Sequence, residues 1–258
     1  MQTTWLRSAA FLLACLAAPC GTALAQTAPT RTERLVYEVW ARGEAAPVGT
    51  HVFLVRRSAS TIVVQEQLEL SGKAIGAPKF LASTSSIASR VSSFSALDKA
   101  PLEAIGEVLV SLSGKGKGTS NERERLLFGE TEVTLSHTRG DETQSWTRPA
   151  PARPLLLCAV VVLGEVGSGK RTWVDFPIGK GSTHTSTGDN QWVSRNTGVA
   201  LFTKVEVRAG TKKVGEPNSP LVVMKENKPI ARFTFNRAGQ VAEFVVGFGG
   251  RLTWRLRE

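Results

Sequence analysis

Three segments near the end of the sequence decide the fold: IARFTF (230–235), VAEFVVGF (241–248) and RLTWRLR (251–257). Apolar side chains recur at alternate positions in these segments, which is the pattern of β-strands with one buried face. The intervening segments, NRAG (236–239) and GG (249–250), contain residues that favour hairpin turns. The pattern therefore predicts a three-stranded antiparallel meander with one aromatic face and one partly basic face.

The same alternation extends outward from this meander through much of the chain. It predicts strands at Leu35–Arg42, Thr50–Arg57 and Thr61–Ser71, and again across Leu126–Arg139, with a return strand at Thr143–Arg148. No long segment shows the 3.6-residue period of an amphipathic helix. We therefore expect an all-β protein with few short helices, built as a strongly curved antiparallel sheet that forms a half-barrel or open barrel.

The first residues predict export. A short segment with one positive charge, Met1–Arg7, precedes the apolar run Ala9–Ala18, and Ala23-Leu-Ala25 matches a signal-peptidase site. Residues 1–25 are thus a predicted signal peptide, and cleavage near Ala25/Gln26 would give a periplasmic or secreted protein. An uncleaved anchor is the alternative, but the apolar run is short for a bilayer span, so membrane contact is expected to be at most peripheral.

The remaining residues, 26–258, are predicted to form a single antiparallel β domain. The proline-rich segment Pro149–Pro154 is a stiff connector, so an internal boundary near 149–154 stays open. Residues 72–121 give no clear pattern, although Leu102–Leu112 fits either a strand or a short helix.

The charge balance favours anionic partners. The sequence has 32 Lys and Arg residues against 22 Asp and Glu residues, a net charge of +10. In the cell envelope such a charge would attract a lipid, a lipoprotein or another anionic component, and neither nucleic acid nor nucleotide is expected as a partner. The alternative is that the basic surface only maintains solubility. Cys158 is the one cysteine outside the predicted signal peptide, and its apolar neighbours predict a buried structural thiol.

The strongest apparent chemical motif is GEVGSGKRT (164–172), which resembles the nucleotide-binding loop of transporter ATPases. In such loops a hydroxyl residue follows the lysine and binds Mg²⁺, but here Arg171 follows Lys170. The next residues, Thr172–Pro177, predict a strand where a phosphate-binding loop requires a helix. We therefore expect no nucleotide site and no cofactor.

The other polar residues give no catalytic or metal-binding pattern. The three histidines, His51, His137 and His184, have no metal-ligand spacing, so no metal site is expected. His184 lies in a polar segment with Ser182, Ser186 and Asp189, which are the residue types of a hydrolase triad, but an exposed polar loop explains this composition better. Every Asp and Glu fits a surface position, and no catalytic residue is predicted.

The aromatic residues give two interpretations. Six of them fall on inward positions of the predicted strands, where they would form either an ordinary core or a concave apolar surface that binds a ligand. These candidate ligand-binding residues are Tyr37, Phe233, Phe235, Phe244, Phe248 and Trp254.

Two parts of the sequence resemble exported bacterial domains of unknown function whose sheet is similar to the open β half-barrel of the LolA-like lipoprotein carriers. One is VYEV (36–39) followed by PVGTH (47–51), and the other is Lys228–Val241 closed by Leu252–Leu256. The resemblance implies a curved sheet with an apolar concave face and brings no catalytic residues.

Together, these observations predict an exported, non-enzymatic envelope protein. It would bind an apolar or amphiphilic ligand, or an envelope partner, on the concave face of the sheet. One alternative is a structural or interaction domain with a filled core, and another is an envelope hydrolase that uses the His184 loop.

Overall fold

The protein is nearly all β, as predicted. The computed structural model describes residues 31–71, 85–111, 119–139, 141–164, 167–175, 183–187, 191–195, 201–246 and 252–257. Within these ranges the elements are β1 (Arg31–Ala41), β2 (Gly49–Arg57), β3 (Thr61–Ser71), β4 (Ser85–Ser95), β5 (Pro101–Ser111), β6 (Thr119–Phe128), β7 (Glu132–Arg139), β8 (Glu142–Pro149), β9 (Pro154–Leu155), α1 (Leu157–Leu163), β10 (Gly169–Asp175), β11 (Thr183–Thr187), β12 (Gln191–Arg195), β13 (Leu201–Ala209), β14 (Leu221–Lys225), β15 (Lys228–Phe235), β16 (Val241–Val246) and β17 (Leu252–Leu256). The predicted signal peptide lies outside the described residues.

Fifteen strands form one open, curved sheet, in the order β8-β7-β6-β5-β4-β3-β2-β1-β17-β16-β15-β14-β13-β10-β9. All neighbouring pairs are antiparallel except β9 and β10, which are parallel. Strands β11 and β12 form a separate hairpin. Most connections are thus hairpins between sequence neighbours, as the regular alternation predicts.

The predicted C-terminal meander is present as β15, β16 and β17. Phe233 lies opposite Phe244, and Phe244 lies opposite Trp254, so one aromatic row crosses all three strands. In the N-terminal half, Leu102–Leu112 belongs mainly to strand β5 and not to a helix. The pattern across 126–139 is interrupted by a turn at Gly129, where the Gly129 amide donates to the Glu132 carbonyl at 2.8 Å.

The two edges of the sheet approach each other where residues 150–153 connect them. Strands β8 and β9 lie at opposite ends of the strand order, yet only residues 150–153 connect them. Such a connection reaches at most about 18 Å, whereas fifteen strands laid flat would extend over about 65–70 Å. The sheet must therefore curl until the end of β8 at Pro149 lies near β9, and we call the gap between the two edges the seam.

Helix α1 packs inside the curl, against β2 and β3. It contains the residues from Cys158 to Val162, all buried, and ends at Gly164 in the left-handed conformation (φ 65°) that glycine adopts most readily. Arg57 donates a hydrogen bond from Nη2 to the Val162 carbonyl at 3.1 Å, which ties the end of the helix to β2. In the part of the chain that the structure describes, no helix is long and apolar enough to cross a membrane.

Candidate ligand-binding site

Four of the six candidate ligand-binding residues lie together in the core. Tyr37 in β1, Phe233 in β15 and Phe244 in β16 are fully buried, and Trp254 in β17 is nearly so. Phe235 is half-buried at the edge of this group. Phe248 lies outside the described residues.

The buried aromatic rings contact one another directly. The ring centroid of Phe244 lies 5.2 Å from that of Tyr37, 5.7 Å from that of Phe233 and 5.0 Å from that of Trp254, where the rings are stacked. The Tyr37 hydroxyl donates to the Val241 carbonyl at 2.7 Å, and burial raises the pKa of this phenol. These contacts fill the space between the strands, so a ligand could reach this aromatic cluster only if the packing opened.

A row of ionisable side chains also lies inside the curl. The His51 Nε2 atom is 3.3 Å from Glu66 Oε2, and Arg90 Nη1 is 3.8 Å from Glu66 Oε1. Both His51 and Glu66 are buried. Burial alone would raise the pKa of Glu66, but the charge of Arg90 and the close contact with His51 outweigh it, so the pKa lies below its ordinary value of 4.5. Glu66 is therefore held as a carboxylate by its partners.

A second ion pair, with a buried carboxylate and a partly buried histidine, continues this row on strands β6 and β7. Glu124 is buried and lies opposite His137, whose Nδ1 atom is 3.5 Å from Glu124 Oε1. Gly106 in β5 lies opposite both Arg90 and Glu124, so the two ion pairs flank a position that has no side chain. The prediction that every Asp and Glu is on the surface is therefore wrong for Glu66 and Glu124.

The alternation of buried and exposed positions along each strand would have predicted that these ionisable residues are buried or partly buried. Glu66 has the same phase as Ile62 and Val64 in β3, both buried, and His137 has the phase of Val133 and Leu135 in β7. Side chains two residues apart point to the same side of a strand. A polar residue two positions from buried apolar residues of the same strand is therefore expected to be buried as well.

Cys158 on helix α1 is buried, as the sequence predicts. Burial raises the pKa of its thiol well above 9.0, and the negative charge of Glu66 raises it further. A thiol in this state is a poor nucleophile. Among the described residues, no group of three or more His, Cys, Asp or Glu side chains could hold a metal ion.

A cavity of about 410 Å³ lies at the seam, between the end of helix α1 and the turns that follow β4 and β6. We call it the seam cavity. Besides alanine and proline residues of the turns, its apolar lining includes one residue at the end of β6, one in β9 and two on α1. These residues are Phe128, Leu155, Ala159 and Leu163. Its volume falls in the range of small-molecule sites, about 300–1,000 Å³.

The rim of the seam cavity has three basic residues, Lys99, Arg153 and Arg171, and two acidic ones, Asp98 and Glu130. Lys99 (φ 58°) and Arg153 (φ 51°) both have the left-handed backbone that side chains rarely adopt. The Asp98 carboxylate is already engaged, because its Oδ1 atom accepts the Ala100 amide at 3.1 Å.

Arg171 is the rim residue with a buried polar atom that lacks a partner among the described residues. Its Nη2 atom donates to the Gly167 carbonyl at 3.1 Å, but its Nε atom is buried and has no hydrogen-bond partner among the described residues. Arg171 also lines a second pocket of about 570 Å³, together with other residues of β10, β13 and β14 that include Lys170 and Lys204. A buried donor without an acceptor is costly and is the chemical feature that an anion would satisfy.

The segment 164–172 does not have the architecture of a phosphate-binding loop. The apolar residues before it form helix α1, and its own last residues, from Gly169 onward, belong to strand β10. A phosphate-binding loop requires the reverse order, a strand followed by a helix. Arg171 pairs with Val205 of β13, in the interior of the sheet.

The segment around His184 is also different from the prediction. Residues 183–187 are strand β11, paired with β12, so the predicted loop is wrong there, and His184 lies opposite Ser194. Ser182 and Asp189 lie outside the described residues. No observation on the described residues favours a hydrolase at this position.

No known protein family matches the chain, and none of the curated proteins matches it. Among solved structures, the chain is similar to the crystal structure of a beta-barrel-like protein of a domain of unknown function, DUF1849, from Brucella abortus. The TM-score is 0.48 at 11% sequence identity, and the match covers 90% of this chain and 98% of that chain.

Proposed function

We propose that this protein is an exported, non-enzymatic binding protein that holds an amphiphilic molecule with an anionic head group in the seam cavity. The observation that carries the proposal is the buried, unpartnered Nε atom of Arg171 beside an apolar lining. The head group would accept a hydrogen bond from Arg171, and the apolar part would contact Phe128, Leu155 and Leu163. The proposal keeps the ligand class predicted from the sequence and moves the site from the aromatic cluster to the seam.

The charge of the molecule supports the same ligand class. Lys99 and Arg153 stand beside Arg171 at the rim, and the net charge of the chain is +10. An anionic amphiphile would be attracted to this rim at long range and fixed there by a charge-assisted hydrogen bond. The chemistry fits a lipid, or the acyl chain of a lipoprotein, of the cell envelope.

The first test is native mass spectrometry of the protein purified from its own envelope fraction, followed by organic extraction. A co-purifying acyl species would support the proposal. Titration with dodecanoate and with dodecanol then tests the role of Arg171. We expect Arg171→Gln to weaken dodecanoate binding by about 10- to 100-fold and to leave dodecanol binding nearly unchanged.

The control is Arg56→Gln, which changes an exposed arginine on β2 and should alter neither affinity. Ala159→Phe narrows the cavity and should weaken both ligands. Equal loss for dodecanoate and dodecanol in Arg171→Gln would contradict the proposed head-group contact. If neither ligand binds the native protein and none co-purifies, the proposal fails.

A second candidate function, a structural or interaction domain with a filled core, is favoured by the packing of the aromatic cluster. The variant Phe244→Leu distinguishes this function from ligand binding at the aromatic cluster. If this variant stays folded and binds dodecanoate normally, Phe244 is a core residue. If it stays folded and loses the ligand, the cluster predicted from the sequence is the site.

A further inference from the structure

Strand β8 is an edge strand that nothing covers in the part of the chain that the structure describes. It pairs with β7 on one side and is the last strand of the sheet on the other. All eight of its residues are exposed, among them Trp146, whose exposed fraction is 38%. An edge strand presents free backbone donors and acceptors, to which another strand can add.

The residues of β8 lack the usual protection against such pairing. The strand contains no lysine, its interior contains no proline, and Pro149 stands only at its end. Its charges are balanced, with Glu142 near one end and Arg148 near the other, although the whole chain carries a net charge of +10. This strand is therefore a neutral segment of a basic protein.

We propose that β8 pairs with β8 of a second copy of this chain, in an antiparallel dimer with Ser145 on the two-fold axis. In this register Glu142 lies opposite Arg148 of the second copy, and the same ion pair forms again across the axis. Trp146 lies opposite Gln144. Such pairing is isologous, because each copy uses the same surface, so it closes as a dimer.

Charge reversal tests the register. Sedimentation equilibrium of the full chain should show a reversible dimer. We expect Glu142→Arg and Arg148→Glu each to weaken it by about 10-fold or more, because each change places like charges opposite one another twice. The double variant restores both ion pairs and should regain the native dissociation constant. Arg56→Glu, on an exposed site of β2, is the control and should leave the dimer unchanged.

Disulfide trapping tests the position of the axis. In a chain with Cys15 and Cys20 replaced by serine, Ser145→Cys would place two thiols opposite each other, with Cβ atoms about 4.5–5.5 Å apart. Oxidised glutathione should cross-link this variant by thiol–disulfide exchange, with two molecules of reduced glutathione as the other product. Thr143→Cys faces the same side of the strand, but its two copies would lie about 13 Å apart and should not cross-link.

Three results would overturn the proposal. The native chain could remain monomeric at every concentration examined, which would leave the edge free for a different partner. The double charge reversal could fail to restore the dimer. Both cysteine variants could cross-link equally, which would indicate parallel pairing. None of these results depends on the ligand proposed for the seam cavity.

Discussion

Glu66 is an acidic residue inside the core, held between His51 and Arg90. Removing a carboxylate from water costs several kcal/mol, and close opposite charges offset this cost only when the geometry is good. The neighbours of Glu66 lower its pKa in the folded protein below the ordinary value of 4.5. The folded state therefore binds a proton at this site more weakly than the unfolded state does.

This shift predicts how stability depends on pH. For a carboxyl group whose folded pKa is lowered, the stability it contributes is fully present above the unfolded pKa and is lost as pH falls through the folded pKa. We expect the urea midpoint of the native protein to fall as the pH drops below the ordinary pKa of 4.5 and on through the lowered pKa of Glu66. In Glu66→Gln, the midpoint should depend less on pH across this interval, and stability near neutral pH should be lower by about 3–5 kcal/mol.

The matched control is Glu69→Gln, because Glu69 lies on the same strand but is exposed. This variant should follow the native pH profile. A Glu66→Gln profile parallel to that of the native protein would show that Glu66 does not contribute the proton linkage.

At the scale of the element, helix α1 shows that a short apolar run does not indicate whether a strand or a helix will form. The run from Leu155 to Leu163 fits a buried strand or a buried helix equally well by periodicity. The structure divides it into the two residues of β9 and the helix. The local signal for the helix is Gly164, a glycine placed where the helix ends in a left-handed residue. The strands were easier to predict, because hairpin partners are close in the sequence and their alternation is visible locally.

The position of α1 inside the curl makes the Cys158 thiol a reporter of local opening. We expect no maleimide labelling of Cys158 in the native protein with Cys15 and Cys20 replaced by serine, and rapid labelling in guanidinium. Arg57→Ala removes the hydrogen bond to the Val162 carbonyl at the helix end. It should accelerate labelling by about 10- to 100-fold, as expected when a charged hydrogen bond is lost from a locally opening unit.

Arg56→Ala is the control for this experiment, since Arg56 is exposed and should leave the rate unchanged. Labelling of Cys158 at the rate of an exposed thiol in the native protein would contradict the buried position of the helix.

At the scale of the whole molecule, the sheet is joined by the pairing of β1 with β17. Val39 lies opposite Trp254, which in turn lies opposite Phe244 of β16. Sequence patterns could not predict this pairing, because the two strands lie at opposite ends of the described chain and no local turn relates them. The sequence could not locate the seam cavity either, since its lining comes from residues within 98–101, 128–130 and 150–163 and from Arg171, which are far apart in the chain.

Because the pairing of β1 with β17 connects the two halves of the sheet, we expect the protein to unfold as one unit. Trp254→Ala should lower the free energy of unfolding by about 3–5 kcal/mol and shift a single transition monitored by circular dichroism. Leu97→Ala, at a side chain that is 94% exposed, should change it by less than about 0.5 kcal/mol. Two separate transitions, with only one affected by Trp254→Ala, would instead place a domain boundary near 149–154.

The seam has a consequence for the connectivity of the chain. Read along the sheet from β9, the strands follow chain order through β10, β13 and the meander to β17, and then from β1 to β8. Apart from the parallel pair β9–β10, the sheet is thus an up-and-down succession whose chain order has been circularly permuted. A permuted gene that opens the chain between 150 and 153 and links 257 to 31 would make almost every strand pair with its sequence neighbour. Such a chain would replace the β1–β17 pairing of distant segments by a pairing of sequence neighbours, and would lack the longest-range contact of a topology that folds slowly when its pairings are non-local.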